Sequence, residues 1–267
     1  MRVAAIQMCS GTDVVANIAA ASDLIRAAAA DGARFIATPE MTHLLQKDAT
    51  ELRRGVKPMA EDEGVTAFAA LAVELDIHLL IGSLAILRDD GKIANRSLLF
   101  TPDGKLSAQY DKIHLFEAAI SKSENYRESD TYTAGERSVI APVGDLNLGL
   151  SICYDVRFPS LYAGYAKAEV DLIAVPAAFT VATGKAHWET LLRARAIETG
   201  AYVIAPAQGG HHADGRRTWG RSLIVDPWGE VLEKLDHDDP GFILADIDRA
   251  AVTKARARIP AWRGAPS

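Results

Sequence analysis

The sequence predicts an α/β protein in which helices pack on a mixed β-sheet. Short apolar or β-branched runs alternate with alanine-rich amphipathic stretches along the chain, as in a layered α/β domain. Two further pairs of apolar runs flank turns that contain Pro and Gly, and such pairs indicate antiparallel hairpins. Because βαβ units and hairpins occur in the same chain, parallel and antiparallel strands are both expected.

The first half of the chain begins with a strand, "RVAAIQM", which we extend to include Cys9. A helix is expected over residues 13–31, closed by Gly32. The run "RFIATPE" is a strand ending at Pro39, and a second helix precedes the strand "IHLLIGSLAIL". One face of the first helix is predicted to carry Ile18, Ala21, Ile25 and Ala28.

Two hairpins are predicted, "NRSLLFTPDGKLSAQY" at residues 95–110 and "RSLIVDPWGEVLEKL" at residues 221–235. Between them, residues 111–137 are predicted to form a long polar loop, and loops of that length are usually functional. The run "DLNLGLSIC" is a strand, and "RFPSLYAGYAKA" after it has helical character. Cys153 therefore lies at a predicted strand-to-helix junction.

Composition limits the classes of function. The chain has 267 residues, of which 49% are hydrophobic and 24% charged, which predicts a single domain over residues 1–267. The net charge of −6 is spread along the sequence without a basic run, so neither nucleic acid nor a membrane is an expected partner. Residues 1–9, "MRVAAIQMC", are too short and too soon interrupted for a signal peptide, and no apolar stretch approaches the length of a membrane span, so a cytoplasmic location is expected.

The two cysteines of the chain are interpreted differently. They cannot form a disulfide framework, and we interpret Cys9 as a small buried hydrophobe. Cys153 lies where a turn exposes a side chain and where a helix N-terminus favours a thiolate. We therefore consider Cys153 a candidate nucleophile.

Two charged residues occupy similar positions at strand ends. Glu40 closes "RFIATPE", and Lys112 follows the strand in "AQYDKIHLFE". Sites in α/β proteins assemble at strand ends, where Glu as base, Cys as nucleophile and Lys facing an oxyanion would form a hydrolytic set. Taken singly, a residue of either kind is more often a solvated loop charge than a catalytic group.

These segments resemble the signature blocks of the nitrilase superfamily of carbon-nitrogen hydrolases, whose catalytic Glu, Lys and Cys match Glu40, Lys112 and Cys153. The resemblance covers nearly the whole chain. It implies a four-layer α-β-β-α sandwich with mixed sheets and a homodimer formed through helices beside the cysteine. It also implies a second glutamate in the long loop, which matches Glu128 in "YRESDTYTAGE".

Within the superfamily, "CYDVRFP" is similar to the small cytosolic amidases that act on oxo acid amides. The stretches "TGKAHWETLLRARAIETGAYVIAPAQGGHH" and "TWGRSLIVDPWGEVL" are most similar to the deaminated glutathione amidases. The ω-amidases, which act on α-ketoglutaramate and α-ketosuccinamate, are the alternative branch. The chain departs from the branch pattern at Arg221 and Ser160: Arg221 either meets the far end of a substrate or faces solvent from a strand.

The resemblance implies a covalent mechanism without metal or organic cofactor. Glu40 takes the thiol proton as Cys153 attacks the amide carbon, while Lys112 and the N–H of Tyr154 hold the oxygen. Ammonia leaves, and water activated by Glu40 opens the thioester. The small-molecule amide is expected to contact Arg157, Phe179 and Thr183.

Other chemistry is weighed against this interpretation. Arg157 either clamps the substrate carboxylate or pairs with an acid such as Asp155. His211, His212 and Asp214 lack the spacing of a zinc site, and we expect a solvated or substrate-proximal loop there. His187 is expected in the first turn of a helix, packing or capping. A catalytically silent scaffold of the same fold is the alternative from another class.

Overall fold

The computed structural model describes residues 1–119 and 125–263. The elements of these residues include six α-helices and two six-stranded sheets. The strands are β1 (Arg2–Gln7), β2 (Phe35–Ala37), β3 (His78–Leu87), β4 (Ile93–Phe100), β5 (Leu106–Asp111), β6 (Glu117–Ala119), β7 (Asn125–Arg127), β8 (Val139–Val143), β9 (Leu146–Leu150), β10 (Leu172–Ala174), β11 (Tyr202–Ala205), β12 (Gly209–His211), β13 (Arg217–Trp219), β14 (Leu223–Val225), β15 (Val231–Lys234) and β16 (Gly241–Asp246). The helices are α1 (Val14–Ala30), α2 (Ala49–Gly55), α3 (Glu63–Leu75), α4 (Pro159–Lys167), α5 (Val181–Thr199) and α6 (Arg249–Arg258).

Both large sheets are mixed. The first has the order β16-β1-β2-β3-β4-β5, with β1, β2 and β3 parallel and the remaining pairs antiparallel. The second has the order β15-β14-β11-β10-β9-β8, with β9, β10 and β11 parallel. The α/β class and the mixed sheets predicted from the sequence are confirmed.

The two sheets pack face to face, and helices cover their outer faces. Val3 and Ala5 of β1 lie in the core shared with strands β9, β10 and β11, whereas Ala4 and Ile6 lie in the core shared with α1 and α3. This alternation follows from the two-residue period of a strand. Helices α4 and α5 cover the second sheet, where Trp188 is buried. The layers are therefore α-β-β-α, as the resemblance implied.

Helix α1 shows how closely local sequence signals set an element. The side chain of Asp13 accepts a hydrogen bond from the Ala16 N–H at 3.0 Å and caps the N-terminus. The helix ends before Gly32, whose φ of 93° suits glycine. The predicted apolar face is confirmed for Ala21, Ile25 and Ala28, which are fully buried. Ile18 is half-buried at the edge of this face.

Two sequence expectations are wrong in detail. Strand β1 ends at Gln7, so Cys9 lies beyond it rather than inside it, because the pairing with β16 stops at Gln7 and only an isolated bridge from Met8 to Gln208 follows. The long polar loop contains a short hairpin, β6–β7, and a 3-10 turn over Glu128–Asp130, because backbone pairing satisfies N–H and C=O groups that the loop would expose. Part of this predicted loop, residues 120–124, lies outside the described residues.

In the described chain, no helix has the length and apolar character needed to cross a bilayer.

Candidate active site

Cys153 lies in a tight turn between the second sheet and α4. Strand β9 ends at Leu150, and a 3-10 turn over Cys153–Arg157 leads into α4. Cys153 has a φ of 50°, in the left-handed region, which costs a non-glycine residue roughly 1–2 kcal/mol. Its N–H donates to the Pro176 carbonyl at 2.9 Å. The predicted strand-to-helix junction is confirmed, and its strained backbone presents the thiol to a cavity.

Asp155 ties this turn to the segment that carries Lys112. Its buried carboxylate accepts hydrogen bonds from the Ile152 N–H at 2.8 Å and the Tyr110 hydroxyl at 2.7 Å. It also accepts one from the His114 N–H at 3.0 Å. Because Tyr110 and His114 flank Lys112, these bonds set the position of the ammonium relative to the cysteine.

Lys112 joins the two glutamates. Its Nζ lies 2.9 Å from Glu40 Oε1 and 2.8 Å from Glu128 Oε2. The Lys112 side chain is only 2% exposed. The Phe116 N–H also donates to Glu128 Oε2 at 2.6 Å. An ammonium held between two carboxylates with so little solvent has a fixed position.

All four residues that the resemblance implied as catalytic line one cavity of about 320 Å³. Its volume lies in the range of small-molecule sites. The wall includes Glu40, Lys112, Glu128 and Cys153. The structure therefore brings together groups that are up to 113 positions apart in the chain, from 40 to 153.

Sequence reasoning missed two further groups in this cluster. The Ala178 N–H donates to Glu40 Oε2 at 2.9 Å, and nothing in the sequence marks a backbone donor. Asn95 Nδ2 donates to Glu40 Oε1 at 2.8 Å and to Glu128 Oε1 at 3.1 Å. Asn95 interrupts the apolar strand β4, and a buried polar residue in a strand was a signal that could have marked it.

The protonation states of the cluster follow from burial and from Lys112. Burial and the Glu40 carboxylate raise the pKa of the Cys153 thiol well above its usual range. Burial alone would raise the pKa of Glu40, but the charge and hydrogen bond of Lys112 outweigh it and hold that pKa below its usual value. Likewise, burial opposes the Lys112 charge, but Glu128 and Glu40 outweigh it and raise the pKa of Lys112.

The expectation that the turn favours a thiolate is therefore wrong. The 3-10 turn after Cys153 spans five residues, so its dipole is small, and the buried carboxylate beside the sulfur dominates. The resting pair is a neutral thiol and an ionised Glu40. These two groups titrate as a coupled pair.

The directions of these pKa shifts predict how kcat/KM depends on pH, because kcat/KM reports the ionisation of groups in the free enzyme. Activity is lost on the acid side only as Glu40 protonates, below its ordinary pKa of about 4.3, and no increase accompanies thiol ionisation near about pH 8.5. We therefore expect a plateau from about pH 5 to about pH 9, measured where circular dichroism shows a folded protein. An alkaline rise with a midpoint near the ordinary thiol pKa would show that a preformed thiolate is the reactive species.

Tyr154, Arg157, Phe179 and Thr183 surround a second, smaller cavity that also reaches Cys153. The Tyr154 ring packs edge-on against Phe158, with the centroids 5.4 Å apart. Thr183 Oγ1 lies 2.8 Å from Thr180 Oγ1, at the N-cap of α5. These predicted contact residues therefore lie beside the nucleophile, on a different wall from Lys112.

Arg157 contacts no carboxylate among the described residues. Its Nη1 lies 3.3 Å from His187 Nδ1, and its guanidinium lies 5.3 Å from the centre of the Phe179 ring. The alternative of an ion pair with Asp155 is wrong, because that carboxylate is buried and engaged by the turn. His187 contacts Arg157 rather than Cys153, and it lies in the second turn of α5 rather than the first.

The histidine-rich loop forms the hairpin β12–β13 beside the main cavity. His212 is buried, with Nδ1 2.8 Å from the Ser10 carbonyl and Nε2 2.7 Å from Thr218 Oγ1, so of the two expected alternatives, a solvated or a substrate-proximal loop, the second fits this residue. Thr218 lines the cavity. No cluster of potential metal ligands occurs among residues 1–119 and 125–263.

The two departures from the branch pattern lie away from the catalytic cluster. Ser160 is exposed in the first turn of α4. Arg221 precedes β14 rather than lying on a strand, and its Nη1 donates to the Trp219 carbonyl at 3.0 Å. It lines a separate cavity of about 250 Å³ against α5. Neither side chain reaches the cavity that contains Cys153.

Comparison with known proteins identifies the family. The sequence model of the family described as carbon-nitrogen hydrolase matches residues 2–257. A deaminated glutathione amidase of Synechocystis sp. is 37% identical over 261 residues, which cover 96% of this chain and 95% of that protein. A deaminated glutathione amidase of Yersinia enterocolitica is 39% identical over 263 residues, which cover 97% of this chain and 90% of that protein.

A solved structure gives the same result. The NitFhit protein of C. elegans matches with a TM-score of 0.92 at 35% identity, over 99% of this chain and 64% of that longer one. The resemblance to the nitrilase superfamily is therefore confirmed at the levels of sequence and fold. The chain belongs to the carbon-nitrogen hydrolase family and is an enzyme that hydrolyses C–N bonds of amides.

Proposed function

We propose that the chain is a thiol amidase with Cys153 as nucleophile, Glu40 as general base and Lys112 as oxyanion partner. The observation that carries this proposal is the buried Glu40–Lys112–Glu128 network, which shares one cavity with the cysteine. Glu128 orients Lys112 and the substrate. The N–H of Tyr154, directly after the nucleophile, is the second donor to the developing oxyanion.

The protonation states determine the order of the first steps. Since the thiol is neutral at rest, Glu40 removes its proton as the sulfur attacks the amide carbon. Lys112 keeps its proton throughout, because its pKa is raised, so it stabilises the oxygen by charge. Glu40 then returns the proton to the departing nitrogen, and the C–N bond breaks to leave a thioester on Cys153.

The second half-reaction uses the same carboxylate. Glu40 takes a proton from water as the water oxygen attacks the thioester carbon, and the sulfur leaves. The proton passes back to the sulfur, which restores the neutral thiol and the ionised Glu40. The products are a carboxylic acid and an amine or ammonia, and no cofactor is required for any step.

For the substrate we propose deaminated glutathione. The name of the relatives in Synechocystis and Yersinia favours it, as do four cationic residues that line the cavity in addition to Lys112. Among the described residues, three of the four form no ion pair, so they are available to carboxylates at the two ends of this substrate. The four cations are Lys47, Arg127, Arg216 and Arg217, of which Arg216 pairs with Asp214.

The substrate test depends on the leaving group. In deaminated glutathione the scissile bond joins the oxo acid to the amino group of cysteinylglycine, so hydrolysis releases that dipeptide. Hydrolysis of α-ketoglutaramate releases ammonia instead. We expect kcat/KM for cysteinylglycine release to exceed kcat/KM for ammonia release from α-ketoglutaramate. The opposite order would assign the chain to the ω-amidases, and no turnover of either amide would favour a silent scaffold.

Arg157 provides a prediction about substrate recognition. We expect Arg157→Lys to raise KM and lower kcat/KM for oxo acid amides, because lysine cannot form two parallel hydrogen bonds with a carboxylate. A neutral amide without the carboxylate should be little affected. Steady-state kinetics on both amides provides the measurement. Equal losses on both, together with a lower melting temperature, would assign Arg157 a structural role.

The remaining features of the chain are also proposals. We propose one functional domain over residues 1–267, a cytoplasmic location and a homodimer. The patch expected at such a dimer interface includes large apolar side chains that are exposed on α5 and near α6: Ile197, Trp228 and Ile259. Sedimentation velocity would measure the oligomeric state.

A further inference from the structure

Asn95 connects the two glutamates of the cluster without contacting the cavity. It lies on β4, is fully buried, and does not line the cavity that contains Cys153. Its Nδ2 donates one hydrogen to Glu40 Oε1 at 2.8 Å and the other to Glu128 Oε1 at 3.1 Å. Its backbone carbonyl accepts from the Lys112 N–H at 2.9 Å. One residue therefore contacts all three charged members of the network.

The carbonyl oxygen of the Asn95 side-chain amide has no hydrogen-bond partner among the described residues. This atom, Oδ1, is buried, and the lack of a partner is unfavourable for a buried acceptor. Gln208 shows the contrast: its Oε1 accepts from the Ser10 N–H at 3.0 Å, and its Nε2 donates to Ser10 Oγ at 2.8 Å. Turning the Asn95 amide over would aim Oδ1 at two carboxylates. Its orientation is therefore set by the need to donate to both glutamates.

These donors determine which oxygen of Glu40 is available. Oε1 accepts from both Asn95 and Lys112, which fills its two lone-pair positions. Oε2 accepts the Ala178 N–H at 2.9 Å and is not shared by Asn95 or Lys112, so it keeps a lone-pair position for the Cys153 thiol, which also hydrogen-bonds Glu40. The proton of Cys153 is therefore directed to Oε2.

We propose that Asn95 is a positioning residue that holds Glu40 ionised, with Oε2 presented to Cys153, and that fixes Glu128 on the other side of Lys112. This inference rests on the proposed function, since it assigns Glu40 the role of base. A donor amide fits this place because it can bond two carboxylates at once, whereas an acid can donate at most one hydrogen. The titratable groups that face Glu40 from neighbouring elements are Lys112, Glu128, Tyr132 and Cys153.

The test uses two variants of Asn95. Asn95→Leu has a similar volume and no donors, and Asn95→Asp keeps the shape and cannot serve both glutamates. We expect each to lower kcat by roughly 10- to 100-fold, the effect of a hydrogen bond to a charged group. Loss of a donor to the carboxylate also raises the pKa of Glu40, so the acid limb of kcat/KM should move upward by about one pH unit or more. KM should change less than kcat.

The matched control is Ser97→Ala, on the same face of the same strand. Ser97 donates a buried hydrogen bond to the Gly82 carbonyl and touches no carboxylate, so its loss can lower stability but leaves the acid limb unmoved. The inference is overturned if Asn95→Asp keeps the kcat and acid limb of the unaltered enzyme, or if Ser97→Ala moves that limb equally. Failure of the proposed function is recognised separately, because Glu40→Gln would then retain activity.

Discussion

Replacing Cys153 with alanine is expected to leave a folded protein without measurable amidase activity. The sulfur is the atom that carries the acyl group, and among the residues lining its cavity no other thiol is available. Loss of a nucleophile that acts together with its base removes several orders of magnitude from the rate, on the order of 1,000-fold or more. Release of the amine or ammonia, with circular dichroism to confirm folding, provides the measurement.

Cys9→Ala is the matched control for this variant. The Cys9 thiol donates to the His211 carbonyl at 3.3 Å and does not line the cavity of Cys153. We expect Cys9→Ala to keep most of the activity. Substantial turnover by Cys153→Ala would rule out covalent catalysis at this residue.

The second large effect is expected for Lys112→Gln. The substitution removes the cation that faces the oxyanion, and loss of one such donor lowers kcat by on the order of 100-fold or more. It also leaves Glu40 and Glu128 buried without their countercharge, which raises the pKa of Glu40, so a smaller fraction of Glu40 is ionised and able to accept a proton at low pH. Steady-state kinetics should therefore show both a lower kcat and an acid limb displaced to higher pH.

Lys112→Arg tests whether charge alone is sufficient. The Lys112 Nζ fits between two oxygens at 2.9 and 2.8 Å in a site with almost no solvent, where a planar guanidinium cannot occupy the same point. We expect this variant to be as impaired as Lys112→Gln. Near-normal rates for either variant would place the oxyanion away from Lys112.

The fold was largely predictable because its signals are local. The N-cap Asp13, the turn at Gly32 and the apolar run of β1 each act over a few residues and are visible in the sequence. The strand pairing within residues 111–137 was not predictable, because strands of three residues such as β6 and β7 are too short to show a periodic pattern of apolar residues.

The site was predictable only in part, because its chemistry depends on long-range contacts. Glu40, Lys112 and Cys153 stand at strand ends, and the family resemblance supplied the reason to group them. The backbone donor at Ala178 and the double contact of Asn95 arise from packing between distant segments. The expected effect of a helix N-terminus on Cys153 was wrong, because burial beside Glu40 outweighs the short turn that follows the cysteine, whereas a neutral thiol agrees with the predicted role of Glu40 as the group that takes its proton.

The most direct test of the account is whether two amides with the same acyl group pass through one thioester on Cys153. Deaminated glutathione and α-ketoglutaramate would both leave the same oxo acyl group on the sulfur, with different leaving groups. With methanol present as a competing nucleophile, which opens the thioester to a methyl ester and the free thiol, the ratio of methyl ester to oxo acid should be identical for the two substrates. A ratio that changes with the leaving group would contradict a shared acyl-enzyme, and with it the assignment of Cys153 as the nucleophile.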